Sequence, residues 1–266
     1  MKPFLKWAGN KFQIVQRIIE VLPTGNRLIE PFVGSGALFL NTDFPRYLLA
    51  DANPDLINLY GHLQTEGPEF IEYCRTFFVP ENNDSDRYYD FRTEFNATED
   101  SRLKSALFLY MNKHCYNGLC RYNASGGFNV PFGRYKRPYF PEVEMNFFAE
   151  KAQTAQFVQA DFVETMSQAV SGDVVYCDPP YVPLSATANF TSYSAGSFGP
   201  DEQRELARQA EKLAAKGITV VISNHDTEFV RAEYAQATIF DFDVQRYISR
   251  NGNNRGKAAE VLAVFA

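Results

Sequence analysis

The sequence predicts an α/β protein: a doubly wound, mostly parallel sheet with a mainly helical insertion that carries a β-hairpin. Three observations lead there. Five short apolar runs, Arg27 to Glu30, Tyr47 to Asp51, Gln156 to Asp161, Asp173 to Asp178 and Ile218 to Ser223, are continuous rather than alternating, as strands buried on both faces are. Helical patterns separate some of these runs, and the long stretch between the second and third is helical in pattern with no buried-strand run. Two final runs, Thr238 to Val244 and Glu260 to Phe265, flank a polar loop and read as an antiparallel pair closing the sheet. The expected organisation is one discontinuous domain, residues 1–52 and 153–266, with a second domain, 53–152, inserted into it.

The elements follow in order. Lys11 to Val21 places Ile14, Val15, Ile18 and Ile19 on one helical face. Inside the insertion, Leu103, Ala106, Leu107, Leu109 and Tyr110 mark another helix. Leu119 to Asn123, a four-residue Ala-Ser-Gly-Gly loop and Phe128 to Arg134 then read as the hairpin. Asp201 to Lys216 alternates polar and apolar residues at helical spacing, begins after Gly199-Pro200 and ends before Gly217. Pro183 to Gly199 has no charged residue, is rich in Ser, Ala, Thr and Gly, and carries Phe190, Tyr193 and Phe198. A connection this long in a compact domain reads as a mobile lid.

The chain has 266 residues, 45% apolar and 22% charged, so it is globular. Cys74, Cys115, Cys120 and Cys177 form no CxxC pair, so neither a disulfide scaffold nor a zinc site is expected, and a reducing compartment fits. No apolar run reaches the roughly 18 residues of a membrane span. Met1 to Gly9 has no signal-peptide apolar region, so the cytoplasm is the expected location. Net charge is −6, which by itself disfavours nucleic acid. The distribution says otherwise. Met111 to Pro141 and Val244 to Ala259 contain no acid, while the first holds Lys113, Arg121, Arg134, Lys136 and Arg137 and the second Arg246, Arg250, Arg255 and Lys257. These stretches form either a directed positive face or two solvated loops.

The chemistry gathers after the strands. Glu30-Pro31-Phe32-Val33-Gly34-Ser35-Gly36 follows the first run, and its Gly-x-Gly turn lets backbone approach a ligand. A dinucleotide fingerprint needs a third glycine where Phe39 stands, so pyrophosphate binding is disfavoured. Asp51 ends the second run, where it is either a ribose acceptor or a helix cap before Asn53-Pro54. A nucleoside without pyrophosphate points to S-adenosylmethionine. Asp178-Pro179-Pro180-Tyr181 follows the fourth run. An aromatic exocyclic amine is a poor nucleophile, because its lone pair is delocalised into the ring. A carboxylate and a main-chain carbonyl that accept its two N–H groups hold the nitrogen toward sp³ character. Pro179 fixes the backbone for that carbonyl, and Tyr181 offers a flat face for the base. Such a transfer rests on alignment and preorganised acceptors, with no metal. His114 beside Cys115 lacks a partner pair and reads as an ordinary packed or surface histidine.

The tetrad and its upstream Gly loop resemble the amino-methyltransferases that act on DNA, in the alpha motif order. The chain is most similar to the Dam-type DNA adenine methyltransferases, which methylate adenine in GATC. The resemblance rests on Phe4 to Lys11, Glu30 to Gly36, Tyr116 to Asn123, Phe128 to Phe140, Val174 to Phe190 and Ile222 to Asp226. It departs at Asn10, where glycine is expected, which puts the local turn in question. It implies a Rossmann-like methyltransferase sheet that uses S-adenosyl-L-methionine and releases S-adenosyl-L-homocysteine. Trp7, Lys11, Phe32, Gly34, Gly36, Asp51, Asp161, Phe162 and Asp178 would border the cofactor, with Asp51 on the ribose and Asp161 on the adenine amine. Asp178, Pro179 and Tyr181 would form the catalytic set.

The same resemblance directs the hairpin to double-stranded DNA. Arg121 suits guanine in the major groove, and Leu119 and Pro131 suit thymine methyls. Tyr116 and Asn117 suit the gap left by a displaced base. Lys113, Arg134, Lys136 and Arg137 suit phosphates, and Lys6 and Arg92 complete the DNA-facing set. The target adenine would be flipped into the tetrad's pocket. The enzyme is expected to be a DNA-associated monomer in a bacterial or phage-infected cell, with no obligate protein partner. RNA or glutamine methylation is disfavoured by Asp178, because such enzymes often carry Asn there. A catalytically silent DNA-binding regulator is disfavoured by the intact tetrad.

Overall fold

The structure is a computed structural model that describes residues 1–183, 198–245 and 257–266. The expected lid therefore falls largely outside the described residues, as do Arg246, Arg250 and Arg255 of the second basic stretch. In chain order the elements are α1 (Val15–Val21), β1 (Arg27–Glu30), β2 (Tyr47–Asp51), α2 (Pro54–Glu66), α3 (Pro68–Arg75), α4 (Ser85–Ala97), α5 (Ser101–His114), α6 (Glu142–Lys151) and β3 (Ala155–Gln159). Next come α7 (Phe162–Ser167), β4 (Asp173–Cys177), α8 (Pro200–Ala214), β5 (Thr219–His225), α9 (Glu228–Glu233), β6 (Thr238–Gln245) and β7 (Lys257–Phe265).

Seven strands form one sheet in the order β3-β2-β1-β4-β5-β7-β6. β2 and β4 flank β1 in parallel, β5 runs parallel to β4, and β7 and β6 complete the sheet antiparallel. The expected mostly parallel α/β sheet, with its antiparallel end, is what the chain forms. The strand order reverses between β1 and β4, so their carboxyl ends stand side by side, where doubly wound sheets bind ligands. Every residue of β4 is buried, which explains its unbroken apolar run. β3 departs from the expectation of a buried strand: its residues are half-buried or exposed, as befits the strand at the end of the sheet order.

The chain divides into two compact units. One holds residues 1–15, 33–43 and 51–159; the other holds 16–32, 44–50 and 160–266. The core of the first is aromatic. Phe148 lies 5.2 Å from Phe4, 5.6 Å from Phe39, 4.6 Å from Tyr60 and 5.8 Å from Phe157, centroid to centroid. This cluster ties the N-terminal residues and the Gly-loop segment to the inserted helices. Asn53, Asp84 and Asp100 cap α2, α4 and α5, each accepting from two backbone N–H groups. In the second unit, Leu206, Ala207, Ala210 and Leu213 form the buried stripe of α8.

Two local departures have physical causes. The predicted helix over Lys11 to Val21 splits into a 3₁₀ turn, Lys11–Gln13, and α1. Asn10 caps that turn, its Oδ1 accepting from the Phe12 N–H at 2.7 Å, and its φ is −48°. Glycine is therefore not needed at this position. The hairpin is antiparallel but lacks continuous strands. It closes through isolated bridges, Tyr122 to Phe128 and Cys115 to Phe132, and the Asn123 side chain accepts from the N–H groups of Ser125 and Gly127 across the tip.

His114 is buried against this region. Its Nδ1–H donates to the Tyr110 carbonyl at 2.9 Å, and its ring stacks on Tyr110 at 3.9 Å. Burial pushes its pKa down to about 4 from 6.5. The unfolded chain takes up that proton near pH 6.5 and the folded chain only near 4, so stability falls as pH drops through this window. The loss is about 3 kcal/mol at 1.36 kcal/mol per unit. Urea titrations between pH 7 and pH 4 should show it in the parent and show that share missing in His114→Phe.

Candidate active site

In the first unit the glycine loop is shaped from below and from the side. Gly34 and Gly36 have φ of +46° and +70°, a region that favours glycine. A Cβ on Gly34 would stand 2.9 Å from the Trp7 indole nitrogen, so the ring lies directly against the loop. The Tyr60 hydroxyl donates to the Gly34 carbonyl at 2.6 Å, which links the loop to the aromatic core. Asp51, the last residue of β2, accepts from the Gly34 N–H at 3.1 Å and from the Asn53 N–H at 3.0 Å. Asn53, rather than Asp51, caps α2. Burial pushes the Asp51 carboxyl up, while the N–H groups of Asn53, Gly34 and Ala52 pull it back down. Lys11 is buried and donates to the Gly9 carbonyl at 2.7 Å.

In the second unit the tetrad leaves β4 beside the end of β5. The Ser223 hydroxyl donates to Asp178 Oδ1 at 3.0 Å. The Gln203 amide donates to the Pro180 carbonyl at 2.7 Å. Asn224 Oδ1 accepts from the Val182 N–H at 3.1 Å, and the His225 Nδ1–H donates to the Val182 carbonyl at 2.5 Å. The Tyr181 hydroxyl donates to Glu260 at 3.3 Å, and its ring packs edge-on to His225 at 4.7 Å. Burial and the charge of Asp178 push that hydroxyl well above its ordinary pKa, so it stays protonated. Phe32, two residues past the end of β1, stacks on Phe162 at 5.7 Å, and Phe198 packs edge-on to both. Asp161 is exposed and caps α7 through the Glu164 N–H at 2.8 Å. Gln203, Ser223 and Asn224 had no predicted role. They are polar residues on α8 and at the end of an apolar run, and only the packing of distant segments reveals them.

The DNA-facing candidates all lie in the first unit. Tyr116, Asn117, Leu119, Arg121, Pro131, Arg134, Lys136 and Arg137 are exposed. Asn117 has φ of +55°, and its N–H donates to the Tyr135 hydroxyl. Lys6 places its ammonium 4.1 Å above the Tyr135 ring. The Arg121 fork is held by Asn129, with Nε on the side-chain oxygen at 2.7 Å and Nη2 on the carbonyl at 3.1 Å. Arg92 donates to the Val130 carbonyl at 3.3 Å and braces the hairpin. Lys113 departs from its expected role. It is buried, its ammonium donates to the Phe4 carbonyl, and burial lowers its pKa to about 8. An ammonium so placed is a strut for the N-terminal segment and does not reach out to a phosphate.

Residues 7–248 match the family described as D12 class N6 adenine-specific DNA methyltransferase. The chain belongs to this family. It is 55% identical over 265 residues to a DNA adenine methylase of Vibrio cholerae, covering 99% of this chain and 96% of that one. It is 52% identical over 264 residues to the DNA adenine methylase of Escherichia coli K12, covering 99% and 95%, and 52% identical over 265 residues to that of Serratia marcescens, covering 99% and 98%. The protein is accordingly a site-specific DNA methyltransferase that acts on the N6 amine of adenine. No helix among the described residues is long and apolar enough to cross a membrane. The described residues contain no cluster of side chains suited to a metal ion.

Asp178→Ala should slow methyl transfer to DNA by roughly 10²–10³ or more, the cost of losing a preorganised acceptor. The far-ultraviolet circular dichroism spectrum should be retained, because Asp178 lies past the end of β4. Turnover above about a tenth of the parent's would refute a catalytic role for Asp178.

Proposed function

We propose that this protein transfers a methyl group from S-adenosylmethionine to the N6 amine of adenine in double-stranded GATC sites, on a base flipped out of the duplex. The observation that carries the reading is the anchored tetrad: Asp178 held by Ser223, and the backbone of Pro180 and Val182 held by Gln203, Asn224 and His225. The relatives named DNA adenine methylase support it, and their bacterial sources support a cytoplasmic enzyme on DNA. No obligate protein partner is invoked.

The residues fit the cofactor. A carboxylate has about four acceptor positions; the N–H groups of Gly34 and Asn53, with a weaker contact from Ala52, do not fill them at Asp51, which leaves capacity for a ribose hydroxyl. In the first unit, Trp7, Lys11, Gly34, Gly36 and Asp51 would hold the nucleoside and its amino-acid tail. In the second, Phe32 and Phe162 would offer apolar ring surface, and Asp161 would accept from the adenine amine. When bound, S-adenosylmethionine supplies an electrophilic methyl on a sulfonium sulfur and leaves as S-adenosylhomocysteine. The chain's own part is to present the nucleophile. Asp178 accepts one N–H of the target amine, a tetrad carbonyl accepts the other, and the nitrogen lone pair is withdrawn from ring conjugation. Gln203 donates to the Pro180 carbonyl, which supports the neighbouring Pro179 carbonyl as the amine's acceptor. Tyr181 stacks on the base.

S-adenosylmethionine should bind without DNA, and Asp51→Ala should weaken it roughly tenfold or more, as loss of a charged acceptor does. Calorimetric titration tests this. Displacement by NAD at comparable concentration would sink the cofactor assignment, because the fingerprint's third glycine is absent.

For DNA, Arg121 would read a guanine, Leu119 and Pro131 the thymine methyls, and Tyr116 with Asn117 the gap left by the flipped base. Lys6 and Arg92 would lie along the DNA, and Arg134, Lys136 and Arg137 would face phosphates. Arg121→Ala should cost about 1–3 kcal/mol of discrimination at one base pair. Lys136→Ala should weaken binding on every sequence and reduce the salt slope by about one. Methylation rates on GATC and its single-base variants separate the two. A uniform fall for Arg121→Ala would make Arg121 a phosphate contact.

A further inference from the structure

We propose that Ser223 is a positioning residue for Asp178, and that the Tyr176 hydroxyl completes a buried donor chain that fixes the carboxylate. β4 and β5 pair in parallel with Tyr176 opposite Val221 and Cys177 opposite Ile222, so Ser223 stands level with Asp178 just past the end of β4. Ser223 is fully buried and Tyr176 is 2% exposed. Ser223 Oγ lies 3.0 Å from Tyr176 Oη, 3.0 Å from Asp178 Oδ1 and 3.4 Å from the Cys177 carbonyl.

The direction of the chain follows from donor capacity. The serine has one proton, the tyrosine one, and an ionised carboxylate none. A hydroxyl proton prefers the charged acceptor at 3.0 Å to the neutral carbonyl at 3.4 Å. Ser223 therefore donates to Asp178, and Tyr176 donates to Ser223. Burial and the charge of Asp178 push the Tyr176 hydroxyl well above its ordinary pKa, so it remains a donor wherever the enzyme works.

The chain does what the strands cannot. Parallel pairing places the backbone of Asp178, but an aspartate side chain still turns about its own bonds. A charged hydrogen bond to Oδ1 fixes the carboxylate plane, and a misplacement of about 1 Å at a reacting centre can cost 10²-fold in rate. The residues before Ser223 on the strand, Val220, Val221 and Ile222, are buried and apolar, and the residue after it, Asn224, is a buried amide that holds the Val182 N–H. The buried hydroxyl at 223 is matched to Tyr176 on one side and Asp178 on the other. The titratable groups around the network are Glu30 on β1, Cys177 on β4, Tyr181 past its end, whose hydroxyl also hydrogen-bonds with Ser223, His225 on β5 against the Tyr181 ring, and Glu260 on β7. These all stay in place in the variants below.

The inference rests on Asp178 as the amine's acceptor, so Asp178→Ala is measured alongside. The experiment is single-turnover methylation of a GATC duplex at saturating S-adenosylmethionine, over a range of pH. Ser223→Ala should lower the rate roughly 10- to 100-fold, with cofactor and DNA dissociation constants unchanged within about twofold. Its acidic limb should move to higher pH, because a carboxylate that loses a donor protonates more readily. Ser223→Thr should restore most of the rate. Ser223→Ala also leaves the Tyr176 hydroxyl buried without that partner, so adding Tyr176→Phe should recover stability without recovering rate. If Ser223→Ala fails to fold, Tyr176→Phe alone carries the test, with a smaller loss and a pH shift of the same sign. A Ser223→Ala rate within about twofold of the parent, or a slower rate with no pH shift and no rescue by threonine, overturns the proposal. If Asp178→Ala is inactive while Ser223→Ala works normally, this inference alone fails. If Asp178→Ala stays active, the amine-acceptor reading fails first.

Discussion

Parallel pairing of β1, β4 and β5 brings three strand ends to one edge of the sheet, and the chemistry depends on that constraint. The Gly loop leaves β1, the tetrad leaves β4, and Ser223-Asn224-His225 finishes β5. Each donor or acceptor that steadies the tetrad comes from a neighbouring strand end or from α8, which packs beside it. The tetrad gains its shape from these side chains rather than from regular hydrogen bonding of its own. Two prolines remove backbone donors there and narrow the conformations left to hold.

The first unit solves a related problem with different material. The glycine loop is largely buried, with Val33, Ser35 and Gly36 all packed inside. Here it stands on aromatic rings: Trp7 lies against Gly34, Tyr60 grips its carbonyl, and Phe148 joins Tyr60 to Phe4 and Phe39. The same cluster explains why the N-terminal residues and the loop segment share a compact body with helices far away in sequence. Asp51 then carries a carboxyl that burial pushes up and that the backbone N–H groups of Asn53, Gly34 and Ala52 pull back down.

Much of this was legible in the residues. β1 and β2 begin and end where their apolar runs do, because a strand buried on both faces writes its length directly into composition. Glycines at positive φ and a Pro-Pro tetrad after a buried strand were equally readable. Other features were not. Ser223 and Asp178 are 45 residues apart, and no local pattern links them. Lys113 counts as a cation in any charge tally, yet the turn of α5 points it inward onto Phe4. The hairpin's strands were overstated because alternating residues on a well-propped loop look like a ladder; Asn123, Asn83 and Tyr88 hold the loop with side chains instead.

An anchored tetrad and a loop that reads DNA together imply methylation of adenine at one short site. The most direct measurement is to map N6-methyladenine across the DNA of a bacterium that lacks adenine methylation of its own and expresses this chain. Methylated adenine should appear at GATC on both strands throughout the genome and at background level elsewhere. Methylated adenine spread over unrelated sites, or DNA without it while the folded protein accumulates, would rule out a GATC-specific adenine methyltransferase.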